Sequence, residues 1–160
     1  MTIAVGDSLP QATFRVMTAD GPAAKTTDDV FKGRKVVLFA VPGAFTPTCS
    51  AKHLPGYLAE WDALRAKGVD LVACLAVNDA FVMDAWAKAH GAAGKVLMLA
   101  DGNGDATRLL GLEADFSRYG MGQRSRRYSM IVEDGVVRQL NVEAAGEFKV
   151  SSAEATACQL

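Results

Sequence analysis

Two nearly unbroken apolar runs emerge when hydrophobic and polar positions are marked along the chain. They cover residues 34–41 and 69–77, are rich in valine and leucine, and predict central strands buried on both faces of a sheet. Residues 94–100 are a third candidate strand. Two further runs flank Asp134 and Gly135, a dipeptide typical of the tight turn in a β-hairpin. The pattern therefore predicts three buried strands and a C-terminal hairpin.

The segment between the first two strands has the apolar spacing of a helix. Residues 49–67 are predicted to be helical, with Gly68 as the C-terminal stop. Pro55 lies inside this stretch and predicts a kink or a broken hydrogen bond. The apolar residues that recur at helical spacing are Leu54, Leu58, Trp61 and Leu64.

Two more helices are predicted from capping residues. One begins with Asn78 as the N-cap and stops at Gly91, and a short terminal helix has Ser151 and Glu154 in capping-box register. The predicted buried face of the first of these helices consists of Phe81, Val82, Ala85, Trp86 and Ala89.

The order of elements predicts an α/β fold with a mixed central sheet flanked by helices. Strands alternate with helices before the antiparallel hairpin and the terminal helix, so the sheet is parallel only in part. A chain of 160 residues without repeats or long linkers fits one domain, residues 1–160.

Charge and composition exclude several classes of function. The formal net charge is −1 and no basic block is present, so neither nucleic-acid nor membrane binding has electrostatic support. No apolar run approaches the roughly 18 residues of a membrane span. The first residues show no basic segment followed by an apolar one, and we therefore expect a cytoplasmic protein.

The three cysteines, Cys49, Cys74 and Cys158, do not have metal-ligand spacing. They form no CxxC pair, and only His53 and His90 could join them, so neither a zinc site nor another metal site is expected. In a reducing cytosol such cysteines are either core residues or redox-active thiols.

Cys49 follows the first strand in an unusual stretch, VPGAFTPTCS. Thr46 is a good N-cap and Pro47 suits the first helical position, which places Thr48 and Cys49 in the first helical turn. Unpaired backbone amides and the positive end of the helix dipole stabilise a thiolate there. This elbow between strand and helix therefore predicts a reactive sulfur rather than a cysteine that merely fills the core.

The elbow also resembles the active-site motif of the peroxiredoxins. Pro42, Thr46 and Cys49 spell P-x-x-x-T-x-x-C, and the blocks VPGAFTPTCSAKHLPGY, VACLAVNDAFVMDAW and RRYSMIVEDGVV resemble the peroxiredoxin-5 type of that family. The resemblance spans nearly the whole chain. It implies a thioredoxin-like fold and the reduction of hydrogen peroxide, alkyl hydroperoxides and sometimes peroxynitrite, without metal, flavin or another cofactor.

The resemblance also implies roles for individual residues. Cys49 corresponds to the peroxidatic cysteine, which attacks the peroxide and becomes a sulfenic acid. Thr46 would hydrogen-bond the thiolate or the peroxide, in competition with its capping role, and Pro42 would cover the sulfur. The backbone N–H groups of Thr48 and Cys49 would hold the peroxide oxygens. Arg127 would supply the fixed positive charge that an anionic nucleophile needs.

Other candidate residues have weaker support. Without the resemblance, Arg127 could not be chosen over its neighbours Arg124 and Arg126. Cys74 lies within an apolar strand and is expected in the core. His53 lies one turn after Cys49 on the same helix face and could touch the site, but a structural role is expected. His90 is assigned no chemistry. The aromatic residues that could line a pocket mouth, or simply pack, are Phe45, Phe116 and Tyr119.

The second half of the catalytic cycle is expected to use one cysteine. Many peroxiredoxins carry a resolving cysteine after the final hairpin, where this chain has Ser151. That departure favours reduction by glutathione or glutaredoxin, with Cys158 as a bystander. The alternatives are a two-cysteine cycle with thioredoxin, a peroxide sensor switched by oxidation of Cys49, and a disulfide exchanger, which the absence of CxxC disfavours. Analogy with the family suggests a homodimer.

Overall fold

The framework of the protein is a seven-stranded mixed sheet, which a computed structural model of residues 1–160 describes in full. Nine strands occur along the chain: β1 (Thr13–Thr18), β2 (Gly21–Thr26), β3 (Lys35–Ala40), β4 (Leu71–Ala76), β5 (Val96–Ala100), β6 (Glu113–Asp115), β7 (Gln123–Ser125), β8 (Tyr128–Glu133) and β9 (Val136–Val142). The large sheet has the order β2-β1-β5-β4-β3-β8-β9, and β6 pairs with β7 separately. Only the β3–β4 and β4–β5 pairs are parallel.

Helices connect the strands and pack on the sheet. They are α1 (Thr27–Phe31), α2 (Leu54–Ala59), α3 (Trp61–Ala66), α4 (Ala80–Ala89), α5 (Asp105–Leu110) and α6 (Ala153–Ala157), with a π-helical turn at Cys49–His53 and a 3-10 turn at Ser117–Tyr119. The longest helix, α4, has 10 residues. None of the helices has both the length and the apolar character needed to cross a membrane.

The predicted central strands and hairpin are confirmed. The three predicted strands become β3, β4 and β5, and β8 joins β9 through a two-residue turn. Asp134 and Gly135 in this turn have φ values of 48° and 78°, the left-handed conformations that a tight hairpin turn requires. The N-terminal hairpin of β1 and β2 was not predicted, because β2 reads GPAAKT and lacks the β-branched and aromatic residues typical of strands.

Alternation of side chains along β3 divides the hydrophobic core into two layers. One layer contains Val37, Phe39, Val41, Cys49, Leu54, Tyr57, Leu64, Met83 and Trp86. The opposite layer contains Val36, Leu38, Ala40, Phe31, Leu99, Leu110 and Tyr128. Cys49 therefore lies on the face of the sheet that α2, α3 and α4 cover.

The predicted helix over residues 49–67 is divided by a π-helical turn and a break. The Leu54 N–H donates to the carbonyl of Cys49, five residues earlier, instead of to the residue four earlier. Pro55 follows at once; it has no N–H, and its ring disfavours the preceding α-helical turn, so it accounts for the wider turn. Glu60, with ψ of 0°, then separates α2 from α3.

The predicted cap of α4 was wrong, and the predicted buried face was right only at Trp86. Asp79 caps this helix, its carboxylate accepting from the Val82 N–H at 2.8 Å, while Asn78 bonds elsewhere. The buried residues of α4 are Ala80, Met83, Trp86 and Ala87. Phe81 is 68% exposed, because only the stripe that starts at Ala80 faces the sheet.

The predicted capping box of the terminal helix was also wrong. Ser152 caps α6 by accepting from the Ala155 N–H at 3.2 Å. The Ser151 hydroxyl instead donates to the carboxylate of Glu143 at 2.6 Å. Because the buried carboxylate of Glu143 takes the hydroxyl of Ser151, the next residue, Ser152, caps the helix instead.

Candidate active site

Antiparallel pairing places the elbow beside Arg127. Ala40, at the end of β3, is the register partner of Tyr128, at the start of β8. The residue before β8 therefore lies next to the residues that follow β3. Side chains alternate along a strand, so Arg127 lies on the face opposite Tyr128, which is the face that carries Cys49.

The elbow leads directly into a helix whose first amides are free. Helical structure begins at Pro47, and the carbonyl of Thr46 accepts from the Ser50 N–H at 2.9 Å. The N–H groups of Thr48 and Cys49 make no hydrogen bond within the protein. The Thr46 hydroxyl donates to the Gly43 carbonyl at 2.7 Å instead of capping the helix, and its lone pairs remain available to a ligand.

Asn78 bonds to the elbow from a neighbouring segment, and Arg124 lies beside it. The Ala44 N–H donates to Oδ1 of Asn78 at 2.9 Å, which explains why Asn78 does not cap α4. Arg124 donates to the carbonyls of Met121 and Val77, at 2.8 and 3.2 Å. These contacts give Arg124 a structural role beside the elbow.

The Cys49 sulfur is fully buried and has a cationic neighbour. Nη2 of Arg127 donates to Sγ of Cys49 at 3.0 Å. Arg126 is exposed, and its side chain donates to the Glu143 carbonyl at 3.4 Å. Among the three neighbouring arginines, the structure thus places Arg127 alone on the sulfur.

His53, which the sequence suggested was structural, contacts the same guanidinium. Its Nδ1 lies 2.8 Å from Nη1 of Arg127, and its Nε2 lies 3.0 Å from the Ser151 carbonyl. Arginine can only donate, so Nδ1 accepts and the proton is on Nε2, which donates to Ser151. Burial, and then the charge of Arg127, lower the pKa of His53 to about 3, so the ring is neutral.

Glu143 anchors the segment that carries Ser151. Its Oε2 accepts from the N–H and the hydroxyl of Ser151, at 2.8 and 2.6 Å, and from the Lys149 N–H at 2.7 Å. Burial alone would raise the pKa of Glu143, but these hydrogen bonds outweigh it and lower the pKa. The carboxylate therefore stays ionised and holds the loop against the site.

A cavity of about 490 Å³ opens over this arrangement. Pro42, Thr48 and Arg127 line the cavity, together with residues 114–116, 118–119, 126 and 143–147. Phe116 and Tyr119 lie at this mouth, whereas Phe45 is not part of it. The volume is many times the roughly 30 Å³ that a water molecule occupies in the liquid, so the cavity admits organic molecules as well as small peroxides.

The other cysteines and His90 lie outside the site. Cys74 is fully buried in β4, where burial, and then Cys49, raise the pKa of its thiol well above the ordinary value. Cys158 is exposed after α6, and all three cysteines are free. No group of three or more potential metal ligands occurs among the histidines, cysteines and acidic residues.

Comparisons with known proteins identify the family and the fold of the chain. The redoxin family profile matches residues 4–156. The chain belongs to the redoxin family, as a peroxiredoxin. It is 55% identical over 158 residues to peroxiredoxin-2E-2, chloroplastic, from Oryza sativa subsp. japonica, which covers 96% of this chain and 70% of the rice protein.

Solved peroxiredoxin structures have the same architecture. Reduced Prx3 in complex with hydrogen peroxide from Vibrio vulnificus superposes with a TM-score of 0.95 at 53% identity, covering 99% of each chain. Peroxiredoxin 5 from Alvinella pompejana gives a TM-score of 0.87 at 38% identity, covering 98% of this chain and 96% of that one. The fold is therefore thioredoxin-like, and this peroxiredoxin is a thiol peroxidase that uses a peroxide and a thiol reductant.

Sequence reasoning missed Glu143, and it did not assign His53 its contact with Arg127. His53 follows Cys49 by four residues, a spacing that puts both on one side of a helix, and this was the available signal. The sequence offers only one signal for Glu143, which is its position directly after the apolar run of the hairpin. Neither signal shows what the side chain contacts.

We expect Cys49→Ser to abolish peroxide turnover and Cys74→Ser to leave it nearly unchanged. Only Cys49 has a cationic neighbour and an adjoining cavity, while Cys74 is enclosed in β4. Peroxide consumption under excess thiol tests both variants, with folding checked by circular dichroism. Turnover retained in Cys49→Ser would exclude this sulfur as the nucleophile.

The stability of this peroxiredoxin should fall as pH decreases from 6.5. Because the folded protein keeps the pKa of His53 at about 3, against 6.5 in an ordinary setting, only the unfolded chain takes up this proton in between. The free energy of unfolding should therefore decrease by up to about 1.4 kcal/mol per pH unit.

Urea unfolding above the carboxylate range, from pH 6.5 to about 5, measures this slope for His53. His53→Asn should remove from this slope the contribution of the one proton that His53 binds on unfolding. The control His90→Asn should retain that contribution. Equal slopes in wild type and His53→Asn would show that His53 binds its proton equally in the folded and unfolded protein, which would contradict the lowered pKa.

Proposed function

We propose that this peroxiredoxin works through a one-cysteine cycle in which Cys49 reduces hydrogen peroxide and organic hydroperoxides. The contact between the Cys49 sulfur and Arg127, which lines the cavity, is the observation that supports this proposal most strongly. The guanidinium stays ionised at all relevant pH values and favours the thiolate, which is the nucleophilic form of cysteine.

The peroxide half-reaction is a displacement at oxygen. The Cys49 thiolate attacks the terminal oxygen of the hydroperoxide, so a sulfur–oxygen bond forms while the O–O bond breaks. Cys49 is oxidised to a sulfenic acid, and the other oxygen leaves as hydroxide or alkoxide and takes a proton to become water or an alcohol. Arg127 stabilises the charge as it passes from sulfur to the departing oxygen.

Three elbow residues complete the proposed machinery. The free N–H groups of Thr48 and Cys49 are available to bind the peroxide oxygens. The Thr46 hydroxyl already donates to Gly43, so we propose that it accepts a hydrogen bond from the peroxide O–H. Pro42 lines the cavity beside the sulfur and limits the access of water and of a second peroxide.

Glutathione, alone or through glutaredoxin, is the proposed reductant. Its thiolate attacks the sulfenic sulfur, water leaves, and a mixed disulfide forms; a second thiol then releases Cys49. The position after the hairpin is occupied by Ser151, whose hydroxyl and amide are committed to Glu143. Cys74 is buried within the sheet, and Cys158 lies at the exposed end of α6. A two-cysteine cycle through Cys158 is the alternative outcome of the test.

We also propose a homodimer formed through the surface around the elbow. Phe45, in the elbow, has a strained positive φ of 63°, and its side chain is 54% exposed. Phe81 is 68% exposed. The hydrogen bond from Ala44 to Asn78 brings these two segments together. Tyr119 is 66% exposed in the cavity that the elbow residues Pro42 and Thr48 also line. Aromatic residues of this kind are enriched in protein interfaces.

A cytoplasmic location is proposed as well, because three free thiols suit a reducing compartment. The rice relative named above is described as chloroplastic. Fluorescence imaging of the tagged full-length chain tests the proposal, and accumulation outside the cytosol would contradict it.

Steady-state peroxide reduction should be faster with glutathione and glutaredoxin than with thioredoxin. Cys158→Ser should retain this activity, because no step of the proposed cycle uses that thiol. After one equivalent of peroxide and excess glutathione, mass spectrometry should show a mixed disulfide at Cys49. A dominant disulfide between Cys49 and Cys158, with activity lost in Cys158→Ser, would establish the two-cysteine cycle instead.

Charge introduced at the proposed interface should weaken the dimer. We expect Phe45→Glu and Phe81→Glu to raise the dimer dissociation constant by at least about tenfold, since central aromatic residues often contribute about 2 kcal/mol. Val5→Glu is the control: Val5 is 58% exposed, but its neighbour Gly6 bonds to Val137, at the opposite end of the sheet. Sedimentation velocity over a concentration series measures the constant, and a monomeric wild type would refute the proposal.

A further inference from the structure

We propose that His53 is a positioning residue, which holds the Arg127 guanidinium on the Cys49 sulfur and is itself fixed by the Ser151 carbonyl. The inference rests on the proposed roles of Cys49 and Arg127. It assigns a function to a buried histidine and to the backbone of a loop that follows β9, neither of which takes part in the chemistry directly.

Arg127 needs a partner besides the sulfur to have a defined position. Its side chain is long and flexible, and a single hydrogen bond leaves the guanidinium free to turn. The partners of the guanidinium are Sγ of Cys49 at Nη2 and Nδ1 of His53 at Nη1. The ring of Phe148 adds a contact, 5.9 Å from the guanidinium carbon to the ring centre. His53 is therefore the only polar side chain that fixes the second nitrogen.

This role requires the uncharged form of the His53 imidazole. No carboxylate forms an ion pair with Arg127. An aspartate or glutamate in place of His53 would orient the guanidinium equally well but would also neutralise its charge. A neutral imidazole accepts the hydrogen bond and leaves the whole positive charge for the sulfur. Protonated His53 could not accept it, so the lowered pKa of His53 is consistent with the assignment.

The imidazole ring has no freedom to rotate away. Nε2 donates to the Ser151 carbonyl, which also accepts from the Tyr57 hydroxyl at 2.9 Å. The rings of Phe39, Tyr57 and Phe148 lie 4.9, 5.6 and 5.0 Å from that of His53, between centroids. His53 is fully buried among them. Its Nδ1 lone pair is therefore held in one direction, toward Arg127.

The chain of contacts begins at Glu143. Its carboxylate holds the amide and the hydroxyl of Ser151, and this fixes the carbonyl that receives His53. The contacts therefore run in one continuous series from the end of β9 through Ser151, His53 and Arg127 to Cys49. The Ser151 hydroxyl donates to Glu143, whereas the Ser151 carbonyl accepts from His53.

Two substitutions of His53 separate the two hydrogen bonds. In His53→Asn, the amide oxygen stands near the position of Nδ1 and can accept from Arg127, while the bond to Ser151 is lost. In His53→Gln, the longer amide reaches the position of Nε2 and can donate to Ser151, while the acceptor for Arg127 is lost. Each variant loses one buried hydrogen bond, so the pair is matched in its cost to stability.

We expect the rate constant for oxidation of Cys49 by hydrogen peroxide to fall by about 10²-fold in His53→Gln, the size of loss that a misplaced catalytic group causes. His53→Asn should keep most of the rate. Rapid-mixing single-turnover kinetics measure the rate constant, and urea unfolding measures stability in parallel. A purely structural histidine would instead give rates that follow stability and do not distinguish Asn from Gln.

A second background tests whether His53 acts through the guanidinium. In Arg127→Gln, replacing His53 by Asn or Gln should have little further effect, because the group being positioned is already gone. Full additivity of the two substitutions would overturn the proposal. Equal rates for His53→Asn and His53→Gln in the protein that retains Arg127 would also overturn it.

Alkylation of Cys49 by iodoacetamide separates this proposal from the proposed function. It reports the reactivity of the thiolate without any peroxide, and the variant Cys74→Ser with Cys158→Ser limits the signal to Cys49. The alkylation profile of His53→Gln should move to higher pH, and that of His53→Asn should remain near the wild-type profile. If wild type fails to reduce peroxide, the proposed function fails, yet these profiles still decide the role of His53.

Discussion

The positive charge of Arg127, held 3.0 Å from a fully buried sulfur, is the interaction on which the site depends. Removing a guanidinium from water is costly unless its donors are satisfied and its charge is opposed. In the proposed mechanism a thiolate at Cys49 opposes that charge, so the arrangement that favours the nucleophilic form of the sulfur also offsets the cost of partly burying the arginine. The absence of a carboxylate partner leaves the sulfur as the natural counter-charge.

This interaction requires two segments that are remote in sequence to meet at a fixed register. β8 lies next to β3 in the sheet and runs antiparallel to it, with Tyr128 paired to Ala40. Arg127, one residue before Tyr128, therefore lies beside the elbow. The π-helical turn before Pro55 then carries the chain from Cys49 to His53 while both remain in contact with the guanidinium. Sheet topology and a local irregularity of the helix thus cooperate in building one site.

Buried polar groups around the site restrict it to one arrangement. Glu143, Ser151, Tyr57 and Thr156 form hydrogen bonds with one another beneath the terminal helix, and these link α6 to α2. Polar groups at such depth are costly when unpaired, so alternative positions of this loop are strongly disfavoured. The cavity beside these residues is large, so it leaves an open approach for a peroxide and a thiol.

The sequence by itself determined the central strands, the type I′-like hairpin turn and the elbow around Cys49, because these depend on local patterns of apolar residues, proline and glycine. It also supported the family through motifs that follow one another in order. Local rules failed where a tertiary partner competed: Asn78 bonds to the elbow and Ser151 to Glu143, so neither caps its predicted helix.

Only the tertiary structure decided which arginine reaches the sulfur and that His53 belongs to the site. Arg127 lies 78 residues from Cys49 and 74 from His53, and His53 lies 98 residues from Ser151. Contacts of this kind depend on strand register and on which face of the sheet a side chain occupies. A one-residue change in register would reverse the face, so no local pattern can encode them.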